Sequence, residues 1–139
     1  MIKKVIIYYY QNVWNKRDFR LLDHLVADNC RVNYINGPLQ CTMVKSVCDI
    51  RKYIEHWTRI YPDLRVEILK LVCDKEYVSA YYRFEGTDRN LRHIYPAEQM
   101  INKENLTIFK ISGGKICEQL TTEVPVTTVA CDKYNDAGR

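Results

Sequence analysis

No Cys-x-x-Cys pair, no run of five or six like charges and no apolar stretch of membrane-spanning length occurs in these 139 residues. The first absence matters because six cysteines are present: Cys30, Cys41, Cys48, Cys73, Cys117 and Cys131. None of the three histidines stands at zinc-finger spacing from a cysteine pair, so no metal site is expected. Reduced thiols, mostly buried as small hydrophobes, are the reading that remains. The second absence argues against nucleic acid. The net charge is only +4, and Lys and Arg are interspersed with Asp and Glu rather than gathered into a basic face. The third argues against a membrane partner. Met1-Ile2-Lys3-Lys4 also leads straight into an interrupted helical pattern rather than a secretory leader, and a cytoplasmic location is expected. Internal repeats and low-complexity tracts are missing too.

The length suits one domain of 139 residues, and 47% apolar with 27% charged residues is ordinary for a globular chain. Eleven tyrosines are more than average, and each brings a large apolar surface with a polar tip. Ile2, Val5, Ile6, Tyr9, Tyr10, Val13 and Trp14 recur at helical spacing, which predicts an amphipathic helix ending near Asn15. Asp18 reads as the N-cap of a shorter helix carrying Phe19, Leu22, Leu25 and Val26, closed by Asp28-Asn29. A short strand over Cys30–Ile35 stops at Asn36-Gly37-Pro38, and Leu39 to Lys45 is weakly patterned. Ser46 with Asp49 three residues on resembles a capping box, and the helix that follows ends at Pro62.

The second half changes period. Leu64–Cys73 and Tyr77–Thr87 read as strands joined by Asp74-Lys75-Glu76, and Val78, Ala80, Tyr82 and Phe84 share one face. Glu104–Glu123 reads as a hairpin turning at Ser112-Gly113-Gly114-Lys115. Its first arm sets Asn105, Thr107, Phe109 and Ile111 on one face, with Leu106, Ile108 and Lys110 on the other. Between Gly86 and Lys103 lies a poorly patterned loop containing Pro96. Helices first and long strands after them predict an α+β fold, its helices packed on one face of a curved, mostly antiparallel sheet. The semi-apolar opposite face needs a partner, and a homodimer through it is expected.

Several pieces together resemble SnoaL-like polyketide cyclases and ester cyclases. They are Tyr9-Tyr10-Gln11-Asn12-Val13-Trp14-Asn15-Lys16-Arg17-Asp18 with Leu22-Asp23, then Tyr61-Pro62-Asp63-Leu64-Arg65-Val66, then Phe84-Glu85-Gly86-Thr87, and finally Ile108-Phe109-Lys110-Ile111 with Gly114-Lys115-Ile116-Cys117-Glu118. The resemblance implies a cone-shaped α+β barrel of the kind shared with nuclear transport factor two and ketosteroid isomerase. The resemblance covers about residues 5 to 123; one domain is expected over residues 1–123, with 124–139 as a C-terminal extension, partly mobile. The resemblance also implies a pocket between helices and sheet, a common dimer, and ring closure by an acidic residue without metal or organic cofactor. The position matching that acid is Thr107, whose hydroxyl donates a hydrogen bond but is no base at neutral pH. Asp88 stands where a histidine often follows Gly-Thr in the family, and Arg89 to Asn102 contains no glycine.

Two functions stay open on this reading. One is cofactor-independent acid–base chemistry, of cyclase or isomerase type, on a small hydrophobic, oxygenated molecule. Asp88, just past a strand end, or His93, a residue type whose unperturbed pKa lies near neutrality, would then replace the missing acid. The alternative is a non-catalytic module for binding a small ligand or for dimerisation; a partner-binding surface formed by the sheet face and tail is a third. In each ligand-based case Tyr10, Tyr34, Trp57, Tyr82, Thr107 and Gln119 are the expected binding residues. A carboxylate or histidine inside a closed apolar cavity favours the enzyme, and a cavity of aromatics and hydroxyls favours binding.

Overall fold

The computed structural model of the chain describes residues 1–87 and 100–124, excluding the Met100 side chain. Asp88, His93 and the extension beyond Val124 lie outside the described residues. The apolar stripe of the first helix folds as read, but in two forms. α1 (Ile2–Tyr8) is α-helical and runs on as a π-helical segment, Tyr9–Asn15. The wider turn is visible in Lys16 N–H donating to Gln11 C=O, five residues back, at 3.2 Å. Tyr9, Tyr10, Val13 and Trp14 are all buried along it.

The second helix is shorter than its pattern suggests. A 3₁₀ turn over Phe19–Leu21 leads into α2 (Leu22–Leu25), and Asp18 makes no side-chain cap; its carboxylate accepts from Arg20 Nε at 3.2 Å instead. β1 then begins at Val26 rather than Cys30 and runs to Asn36. Asp28-Asn29 therefore lies inside a strand. Asn29 sits at φ 60°, a region short polar residues tolerate, and the register shifts between Val26 and Arg31. Locally the pair reads as a stop, but pairing of Val26 with Ile116 extends the strand across it.

The weakly patterned Leu39–Lys45 is β2, hairpin-paired to β1 through a turn at Gly37. It sits at the sheet edge and is exposed over most of its length, so it needs no apolar alternation. α3 (Val47–Ile60) opens on the full capping box: Asp49 N–H donates to Ser46 Oγ at 3.1 Å, and Ser46 N–H to Asp49 Oδ2 at 3.0 Å. β3 (Arg65–Asp74), β4 (Tyr77–Thr87), β5 (Met100–Ser112) and β6 (Lys115–Val124) complete one six-stranded sheet, ordered β2-β1-β6-β5-β4-β3. All its pairings are antiparallel except β1 with β6. The helices cover one face of this curved sheet, which is the α+β cone expected. Among the described residues no helix is long and apolar enough to cross a membrane.

Three of the sequence pieces meet at one corner. The Asn15 amide donates to Val66 C=O at 2.9 Å and accepts from Val66 N–H at 2.7 Å, tying the π segment to β3. Arg17, at φ 61°, donates to the carbonyls of Trp14, Pro62 and Leu64. Asp63 accepts from Thr87 N–H at 2.8 Å. Gly86 lies so close that a Cβ there would stand 2.9 Å from Tyr61 Cβ. The corner fixes the helix over the sheet and so sets the width of the space between them.

Candidate functional site

That space is a cavity of about 380 Å³ between the helices and the concave sheet face. The π segment contributes Tyr9, Tyr10 and Trp14, while α3 adds Ile50, Tyr53 and Trp57. β4 offers Tyr82 and Phe84 from its inward-pointing set. β6 supplies Gln119, Thr121 and Glu123, alternate residues of one strand and therefore one face. The walls are mostly aromatic, with ring pairs such as Tyr10–Tyr82 at 4.6 Å and Trp14–Phe84 at 5.3 Å between centroids. Phe109 is fully buried against Tyr9 and Tyr10, with ring centroids 6.1 and 6.0 Å away.

Set into this apolar wall is a cluster of hydroxyls. Tyr82 Oη lies 2.7 Å from Thr107 Oγ1, which lies 2.8 Å from Thr121 Oγ1. The register dictates the contact, since Thr107 faces Thr121 across β5 and β6 and Ala80 across β4, leaving room beside it. The Tyr10 ring packs on that of Tyr82 beside this cluster. Burial pushes the Tyr9 and Tyr10 hydroxyls well above the usual phenol range and raises that of Tyr82. All three are neutral donors at physiological pH. Trp14 Nε1 is buried and has no hydrogen-bond partner among the described residues.

Charge on the lining is carried by Lys45, Asp49, Lys103 and Glu123. Lys103 and Glu123 face each other at 4.0 Å, and Lys45 lies on the inner face of β2. Asp49 is engaged in the capping box, and the backbone hydrogen bond from Ser46 holds its carboxyl below the usual range. The carboxylates among the described lining residues are Asp49 and Glu123, both exposed, and no histidine is among them. His24 and His56 are exposed, on α2 and α3. No group of three or more His, Cys, Asp or Glu could hold a metal ion among the described residues.

The structure brings Tyr10, Tyr34, Trp57, Tyr82 and Gln119 together as cavity-lining residues. Thr107 is not among them. It is 0% exposed and sits behind the wall, where it orients Tyr82 and Thr121. Thr121, Asn105, Lys103 and Glu123 line the cavity without having been read as site residues. Alternation from Gln119 would have found Thr121 and Glu123, and alternation from Thr107 would have found Asn105 and Lys103.

Residues 4–123 match the family described as SnoaL-like polyketide cyclase. The chain belongs to that family. Solved structures agree on the fold. A SnoaL-like polyketide cyclase from Agrobacterium tumefaciens is 19% identical with a TM-score of 0.70, the alignment covering 97% of this chain and 98% of that one. IdmH from Streptomyces antibioticus, described as a candidate polyketide cyclase, is 14% identical with a TM-score of 0.71, covering 88% and 91%. AclR from Streptomyces galilaeus, described as a candidate hydroxylase, is 16% identical with a TM-score of 0.63, covering 88% of each chain. Search among curated proteins gives no match. At such identities the SnoaL-like scaffold is what these proteins share, and their differing descriptions show that the scaffold does not fix the chemistry.

Proposed function

We propose that this SnoaL-like protein binds a small, largely aromatic and oxygenated molecule in its cone, without the acid-driven ring closure of the family's cyclases. One observation carries the reading: Thr107, which the family resemblance puts at the acid's position, is sealed behind the cavity wall in a hydroxyl cluster, and the carboxylates among the described lining residues, Asp49 and Glu123, are both exposed. An apolar cavity with a few convergent polar groups is what ligand binding requires, and proton abstraction requires in addition a base within reach. Included in this proposal is pairing of two copies through the outer sheet face, where Val72, Tyr77, Leu106 and Ile108 are exposed.

Both tryptophans of the chain, Trp14 and Trp57, line the cavity, so their emission reports on it directly. Titration with 2-naphthol is expected to quench that emission saturably, with one site per chain. Quenching that rises without saturation would count against a ligand site.

A further inference from the structure

Thr107 is fully buried, so its one proton and its lone pairs must be used inside the hydroxyl cluster. Two partners are fixed by distance, Tyr82 at 2.7 Å and Thr121 at 2.8 Å. The direction of the bonds follows from the chemistry of the groups. A phenol is a stronger donor and a weaker acceptor than an alkyl hydroxyl, because its ring draws on the oxygen lone pair. On that chemistry Tyr82 donates to Thr107, and the Thr107 proton turns to Thr121. Thr121 has then accepted a hydrogen bond from behind, and its own proton is free. Chains of this kind polarise each successive hydroxyl, which makes the last donor the strongest. Only Thr121 of the two threonines faces the cavity.

We propose that the Tyr82–Thr107–Thr121 relay ends in a directed hydrogen-bond donor on the β6 wall and makes the cavity selective for ligands that place a carbonyl oxygen there. Thr121 is the residue that touches the ligand; Thr107 is a positioning residue. The inference rests on the cavity being a ligand site, and its test separates the two ideas.

The probes are 1-indanone and indane, alike in shape except for the carbonyl, titrated by calorimetry into the wild type, Thr121→Val, Thr121→Ser, Thr107→Val and Thr107→Ser. Near-ultraviolet circular dichroism checks that each variant keeps its packing. Relative to indane, affinity for the ketone is expected to fall about tenfold in Thr121→Val, the cost of leaving a buried acceptor unpaired, and about threefold in Thr107→Val. Both serine variants are expected to retain the wild-type ratio. The infrared carbonyl stretch of bound 1-indanone is expected at lower frequency in the wild type than in Thr121→Val, which a role in packing alone would not produce. Binding of indane with the same ketone-to-indane ratio in every variant, and an unmoved carbonyl stretch, would overturn the relay while leaving the ligand site standing. Failure of both probes to bind the wild type would overturn both.

Discussion

Burial holds the Tyr9, Tyr10 and Tyr82 hydroxyls protonated beyond the usual phenol range and pushes the Cys30 thiol up to about 11. For each group the neutral form is favoured in the folded state. Their contribution to stability is therefore complete below the ordinary values, 9.0 for the thiol and 10.0 for the phenols, and is lost as pH rises through the folded values. Urea midpoints are expected to hold steady from pH 7 to about 9 and to fall above that. Phenolate absorbance from these three tyrosines should appear together with unfolding. Phenolate titrating fully at pH 10 in a protein that stays folded would contradict their burial. At this scale the sequence was legible where alternation was applied: Val78, Ala80, Tyr82, Thr107, Phe109 and Ile111 all face the core. It was not legible where position depends on a second strand. Nothing in the residues around Thr107 says that Thr121 will stand 2.8 Å away, because that contact is made by register.

Elements are held in place by few but well-made contacts. Asn15 satisfies both backbone groups of Val66, and replacing it with Ala leaves a partly buried N–H and C=O unpaired. Asn15→Ala is expected to cost about 2 kcal/mol in chemical denaturation. It is also expected to weaken 2-naphthol binding, because the π segment carries Tyr9, Tyr10 and Trp14 of the wall. A variant with unchanged stability would show that the corner does not anchor the helix. This corner also explains why the family resemblance was readable at all. Asn15-Lys16-Arg17, Tyr61-Pro62-Asp63-Leu64 and Gly86-Thr87 are distant in sequence but fold onto one another, so they build the scaffold. Caps and turns were read correctly at Ser46 and Gly113-Gly114, where local chemistry decides. Asp28-Asn29 misled, because long-range pairing with β6 overrides a local stop signal.

At the scale of the whole molecule, the sheet presents one face to the cavity and an apolar patch on the other. Burial of Leu106, Ile108, Tyr77 and Val72 against a second copy would remove that patch from water. Sedimentation equilibrium at micromolar concentration is expected to give a dimer, and Ile108→Lys a monomer; a monomeric wild type would refute the pairing. The fold class was legible from the order of helical and strand periods. The strand order was not, since the parallel β1–β6 pair joins the two ends of the sheet's sequence and has no local signature.

We propose that the cone is kept and the family's acid–base chemistry is not. Exchange of the α-protons of bound 1-indanone for deuterium, followed by NMR at near-saturating protein, tests this most directly, because any base acting on a ketone in the cavity must speed that step. Exchange at the rate found in buffer alone is the expected result. Exchange clearly above that rate, and lost in Asp88→Asn or His93→Ala, would contradict the claim and establish this SnoaL-like protein as an enzyme.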